Sequence, residues 1–123
     1  MSRRRRKSTE ARGDCYQSSF ERLMDACLFL DKTNLKLVHA EVAGQGPLAG
    51  VTFGHAFLWN ENTGEVWDNS GGRNLCMPRE AYFRLGRIED IGNYWVYTWE
   101  EARRKALEYM HYGPWDLQTA TGL

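Results

Sequence analysis

The sequence predicts an α+β fold in which an N-terminal helix packs on an antiparallel β-sheet. Two stretches carry that reading: an amphipathic helix opening at Cys15, and a nearly unbroken apolar and aromatic run over 51–60 followed by a turn and a shorter strand. With 123 residues, 42% of them hydrophobic, the chain holds apolar surface for one core and hardly for two. A single domain over 13–123 is therefore expected behind a disordered basic arm over 1–12.

In chain order, Asp14 has N-cap chemistry, and Gln17 stands three residues on at the spacing of a capping box. Tyr16, Phe20, Leu23, Met24, Cys27 and Leu28 then recur at helical spacing, with Ser18, Glu21, Arg22 and Asp25 on the other side. That pattern predicts a helix from Cys15 to about Phe29. Leu35, Leu37, Val38 and Val42 predict a strand over 34–42, ended by the loop Gly44-Gln45-Gly46-Pro47. The run from Val51 to Asn60 reads as a central strand covered on both faces. Asn60-Glu61-Asn62-Thr63-Gly64 has the chemistry of a hairpin whose loop occupies 61–64, returning antiparallel over 65–69. Ser70-Gly71-Gly72 breaks the chain, 78–85 reads as a short helix and 94–97 as a further strand. Thr98 with Glu101 repeats the capping-box spacing and opens a last helix to about Tyr109, stopped by Gly113-Pro114.

Sixteen basic residues balance sixteen acidic ones, so no global field draws the folded body to nucleic acid or membrane. Arg3, Arg4, Arg5, Arg6 and Lys7 form a block with no apolar residue among them, a solvated arm suited at most to weak contact with nucleic acid or an acidic surface. No apolar stretch approaches the roughly 18 residues a membrane span needs, and polar Ser8, Thr9 and Glu10 follow the arginines where a signal peptide has its apolar core. The expectation is a cytoplasmic protein with no membrane insertion. Cys15, Cys27 and Cys76 are an odd number at irregular spacing, which speaks against a disulfide framework and leaves room for a functional thiol. With no CxxC or HxxxH pair, neither metal nor cofactor is expected.

The candidate chemistry starts from Cys15, because the first turn of a helix, with its unpaired amides and positive dipole end, favours a thiolate nucleophile. His55 lies inside the central strand, where an imidazole needs partners for its nitrogens. A four-residue loop at 61–64 pairs Asn60 with Glu65, hence Phe57 with Asp68, and puts Asp68 on the His55 face at diagonal distance. A three-residue loop slips the register and places Asn69 there instead, a residue that also holds a histidine ring. His39, with nothing at a recognisable spacing to support it, is expected to be structural. Trp59 and Trp67 flank the proposed pair as possible walls of a substrate groove, and the loop over 44–50 is placed to gate it.

Gly13-Asp14-Cys15-Tyr16 opening a helix, His55-Ala56-Phe57 on a strand and Trp67-Asp68 on the next resemble the cysteine, histidine and aspartate motifs of the transglutaminase-like and papain-like superfamily. The resemblance covers 13–69, about half the chain. It implies a helix packed on an antiparallel sheet, a Cys15-His55-Asp68 triad, and acyl transfer on a peptide or glutamine amide of a protein substrate. No glutamine precedes Cys15 as papain-like peptidases have it, so Gln45, Gln17 or backbone amides would have to serve as oxyanion donors. The competing expectation is an inactive binding module on the same fold, an inhibitor or adaptor using the aromatic surface or the arginine arm.

Overall fold

A computed structural model describes residues 14–26, 34–70 and 74–119. Helix α1 (Cys15–Ala26) leads to strands β1 (Leu35–Ala43) and β2 (Thr52–Asn60), with a 3-10 turn at Gly46–Leu48 between them. Then come β3 (Glu65–Asp68), β4 (Leu75–Pro78), α2 (Arg79–Leu85), α3 (Ile88–Ile91), β5 (Tyr94–Tyr97) and α4 (Trp99–Tyr109). The five strands form one sheet in the order β4-β3-β2-β1-β5, every neighbouring pair antiparallel. The expected α+β architecture is therefore present, with β2 at the centre of the sheet. The expected arm over 1–12, Cys27 and the helix end near Phe29 lie outside the described residues.

Both sheet faces are covered, which accounts for the unbroken apolar run along β2. On one face Val38, Ala40, Val42, Phe57 and Val66 pack against Tyr82 and Phe83 of α2 and Ile88 of α3. On the other, Leu35, Leu37, Leu58 and Tyr97 pack against Leu23 of α1 and Ala102 of α4, while Cys15, Tyr16 and Ala56 form a small cluster beside them. Alternate residues of β2 thus serve opposite layers, as strand geometry requires.

The β2–β3 hairpin has the four-residue loop its composition predicts. Asn60 pairs with Glu65, the Asn60 Oδ1 accepts from the amides of Asn62 and Thr63 at 2.9 and 3.2 Å, and Gly64 takes the positive φ of 77° that closes the turn. At α4 the Thr98 and Glu101 capping box forms in both directions. Two elements escape the sequence reading, β4 and α3, each only four residues long and too short to show a period. At the start of α1 the Asp14 carbonyl accepts the first helical bond, from Ser18 at 2.8 Å, and the Gln17 amide donates to Glu21 one turn on, at 3.1 Å.

Strand β3 is short, and its ladder with β2 covers only Leu58–Asn60. Among the described residues the first half of β2 therefore has no partner strand on that side. At the same level Gly54 permits α1 to approach the sheet: a Cβ there would stand 2.6 Å from the Tyr16 hydroxyl. The start of α1 and the middle of β2 meet there, with Cys15 and Tyr16 packed on Ala56.

Candidate active site

His55 and Phe57 point to the α2–α3 face of the sheet, and the hairpin register brings Asp68 beside them. The His55 Nε2 and Asp68 Oδ2 are 2.8 Å apart. Asp68 is 1% exposed, a burial that would ordinarily push its carboxyl toward the neutral form. It is held ionised by four donors. Oδ2 accepts from His55 and from the Tyr82 hydroxyl at 2.6 Å, and Oδ1 accepts from the Ser70 amide at 3.0 Å and the Ser70 hydroxyl at 2.7 Å. Four accepted bonds fill the lone-pair sites of a carboxylate. Against the effect of burial, His55, Tyr82 and Ser70 hold the Asp68 pKa well below the usual carboxylate range.

With Nε2 committed to Asp68, Nδ1 is the ring nitrogen left for Cys15. Burial alone would lower the imidazole pKa, but the bond to Asp68 and the Cys15 side chain, acting as hydrogen-bond partner and as charge, outweigh it and raise His55 to about 10. Cys15 is the first residue of α1 and 6% exposed. The amides of Cys15, Tyr16 and Gln17 precede the first bond of the helix, so none has an acceptor within it. The thiol thus lies against the imidazole at a helix N-terminus, with the imidazole fixed from behind by a buried carboxylate.

The remaining sequence-predicted residues fall in different places. Asn69 is displaced from the orienting position by the four-residue loop, and its Oδ1 is buried with no hydrogen-bond partner. Gln17 is engaged with Glu21 on the helix surface, away from the oxyanion role proposed for it. Gln45 lines a cavity with His55 and Asp68, but its amide donates to the Leu85 carbonyl at 2.9 Å. Trp59 and Trp67 do not form one groove, because Trp59 pairs with Val66 while Trp67 pairs with Leu58, and these adjacent positions face opposite ways. Trp59 packs in the α2 layer with Arg79 stacked 4.8 Å over its ring, and Trp67 in the α1 layer beneath Arg22 at 5.4 Å. Tyr82 and Ser70 were not singled out by the sequence. Ser70 carried a readable sign, an Asp-x-Ser spacing that suits a local carboxylate turn. Tyr82 carried none.

His39 sits on the other face, fully buried among the rings of Tyr16, Tyr97 and Trp115 at centroid distances of 4.9, 5.1 and 4.9 Å. Neither of its ring nitrogens has a hydrogen-bond partner. It takes no part in the His55 site. Cys76 is exposed on the edge strand β4. Among the described residues no group of three or more His, Cys, Asp or Glu side chains is placed to hold a metal ion, and no helix is long and apolar enough to cross a membrane.

Compared with protein-family models, curated proteins and solved structures, the chain finds no match.

Proposed function

We propose that this chain is a cysteine-nucleophile acyl-transfer enzyme of the papain-like and transglutaminase-like kind, acting on a peptide or glutamine amide of a protein substrate. The observation that carries the reading is the His55–Asp68 pair, whose carboxylate accepts four hydrogen bonds, with the Cys15 side chain as a further hydrogen-bonding partner of the imidazole. In the first step Nδ1 of His55 takes the Cys15 proton, and the thiolate sulfur attacks the amide carbonyl carbon. The carbonyl π electrons move to oxygen, and the backbone amides opening α1, which have no acceptor within the helix, are the donors proposed for that oxyanion. As the C–N bond breaks, the proton on His55 passes to the leaving nitrogen, and a thioester remains on Cys15. Water or an amine, deprotonated by His55, then attacks the thioester, and the sulfur leaves as thiolate. Throughout, Asp68 fixes the tautomer with Nε2–H toward itself and supports the cation.

One observation favours a second reading, a binding module without turnover: Cys15 is only 6% exposed, which leaves little of its side chain open to a substrate.

The test is alkylation with iodoacetamide at neutral pH, read by peptide mapping, followed by incubation with candidate proteins and intact-mass measurement. Selective modification of Cys15 over Cys76, with a mass change in a substrate from hydrolysis, deamidation or amine transfer, supports the enzyme. Cys15→Ala and His55→Ala should each abolish that change, while Asp68→Asn should leave a fraction because an amide oxygen still orients the ring. Equal activity in Cys15→Ala and the unmodified protein would sink the proposal.

A further inference from the structure

A cavity of about 320 Å³ opens beside the His55–Asp68 pair, between the sheet and the turn at Gly46–Leu48. Its walls are aliphatic and aromatic: Val42, Leu48, Phe53, Leu75 and Leu85. The polar groups that reach it are already engaged. Asp68 accepts from His55 and Tyr82, and Gln45 donates to the Leu85 carbonyl. Among the described residues no Lys, Arg or Glu lines it, so a charged group entering it would meet no counter-charge from them beyond the pair that is already matched.

From this geometry we infer that the cavity takes an uncharged apolar side chain of the peptide substrate, of leucine to phenylalanine size. The inference rests on the amide-transfer reading, since it is the shared His55 that ties the cavity to the reacting bond. Size supports the choice of occupant: an apolar cavity of about 150 Å³ already holds a benzene ring, and twice that volume takes a phenyl group with the backbone atoms that carry it. Chemistry supports it as well, because a lysine or glutamate side chain buried here would lose its hydration without gaining a partner. Leu48 and Leu85, 39% and 48% exposed, stand at the mouth and set its width. Leu48 belongs to the loop between Gly44 and Gly50, and Gln45 ties that loop to the end of α2, so the roof of the cavity is latched over it.

The test is a ¹H–¹⁵N titration of the full chain with N-acetyl-phenylalaninamide, N-acetyl-leucinamide, N-acetyl-lysinamide and N-acetyl-glutamate amide. The expected result is displacement of the Ala43, Leu75 and Gly86 amide signals by the two apolar compounds, with affinity roughly 10–100-fold above that for the charged ones. Leu48→Asp, on an exposed turn where folding is easily checked from the rest of the spectrum, should reverse the order in favour of the lysine compound. Equal affinity for all four, or displacements elsewhere than this cavity, overturns the inference. Cys15 does not line the cavity, so the two proposals fail separately. An inert Cys15 beside a selective cavity refutes the enzyme and keeps the pocket, and a reactive Cys15 beside an unselective cavity does the reverse.

Discussion

Acidification should destabilise this protein through His39. Its ring is fully buried with neither nitrogen hydrogen-bonded. Burial, opposed by the charge of Asp116 and helped by His111, pushes its pKa down to about 3. In the unfolded chain the same group titrates near 6.5. Between those values the unfolded state binds a proton that the folded state refuses, so stability falls as pH falls, by about 1.4 kcal/mol for each pH unit below 6.5. From pH 7.5 to 4.5 the loss comes to about 3 kcal/mol, a large part of the 5–15 kcal/mol typical of a domain. The window is free of the other shifted groups. Glu41, Asp68 and Asp116 have lowered pKa values, so their contributions disappear only below about pH 4. His55, whose pKa is raised, is protonated in both states below 6.5. Urea unfolding followed by tryptophan fluorescence is the assay, with Trp115 packed on the ring as a local reporter. His39→Leu should remove the slope between pH 6.5 and 4.5. A flat wild-type profile there, or an unchanged slope in the variant, would refute the reasoning.

The opposite limb belongs to His55, raised to about 10: its contribution is complete below pH 6.5 and is lost as pH rises toward 10, so His55→Gln should flatten the alkaline side of the same curve. Tyr82→Phe removes one of the four donors on Asp68 and should cost about 1.5–3 kcal/mol in urea unfolding. Gly54→Ala places a Cβ 2.6 Å from the Tyr16 hydroxyl. It should cost about 1–3 kcal/mol and, by lifting the start of α1 off the sheet, change the rate at which iodoacetamide modifies Cys15. Thr98→Ala breaks the capping box of α4 and should lower stability by about 1 kcal/mol with no change in that rate.

The hairpin shows why part of the site was legible. His55 and Asp68 are thirteen residues apart, joined by a turn whose length follows from Asn60 and Gly64, so strand alternation alone brings them to one face. The same alternation defeats the Trp59–Trp67 groove, because those two positions differ in parity across the hairpin. Tyr82 reaches Asp68 by another route. Its helix docks through the stacking of Tyr82 on Phe57 at 4.7 Å between ring centroids, a long-range fit that no local pattern announces. The meeting of Cys15 with His55 depends on the brevity of β3 and the bare Cα of Gly54, two features whose joint effect appears only once the helix is laid on the sheet. Gln17 falls outside the oxyanion role for a simpler reason, since its amide is taken up by Glu21 at i,i+4.

The two layers on which the thiol and its partner depend are made at different times. Cys15 belongs to the helix on one face of the sheet, whereas Asp68 and Tyr82, which hold the imidazole, belong to the other. During synthesis α1 leaves the ribosome dozens of residues ahead of His55, and α2 later still. Until both layers close on the sheet, the nascent chain carries Cys15 without His55 beside it and His55 without the Asp68 carboxylate that holds it. If Cys15 acts as proposed, its activation is thereby tied to completion of the fold, and an immature chain would not react with its neighbours by this route.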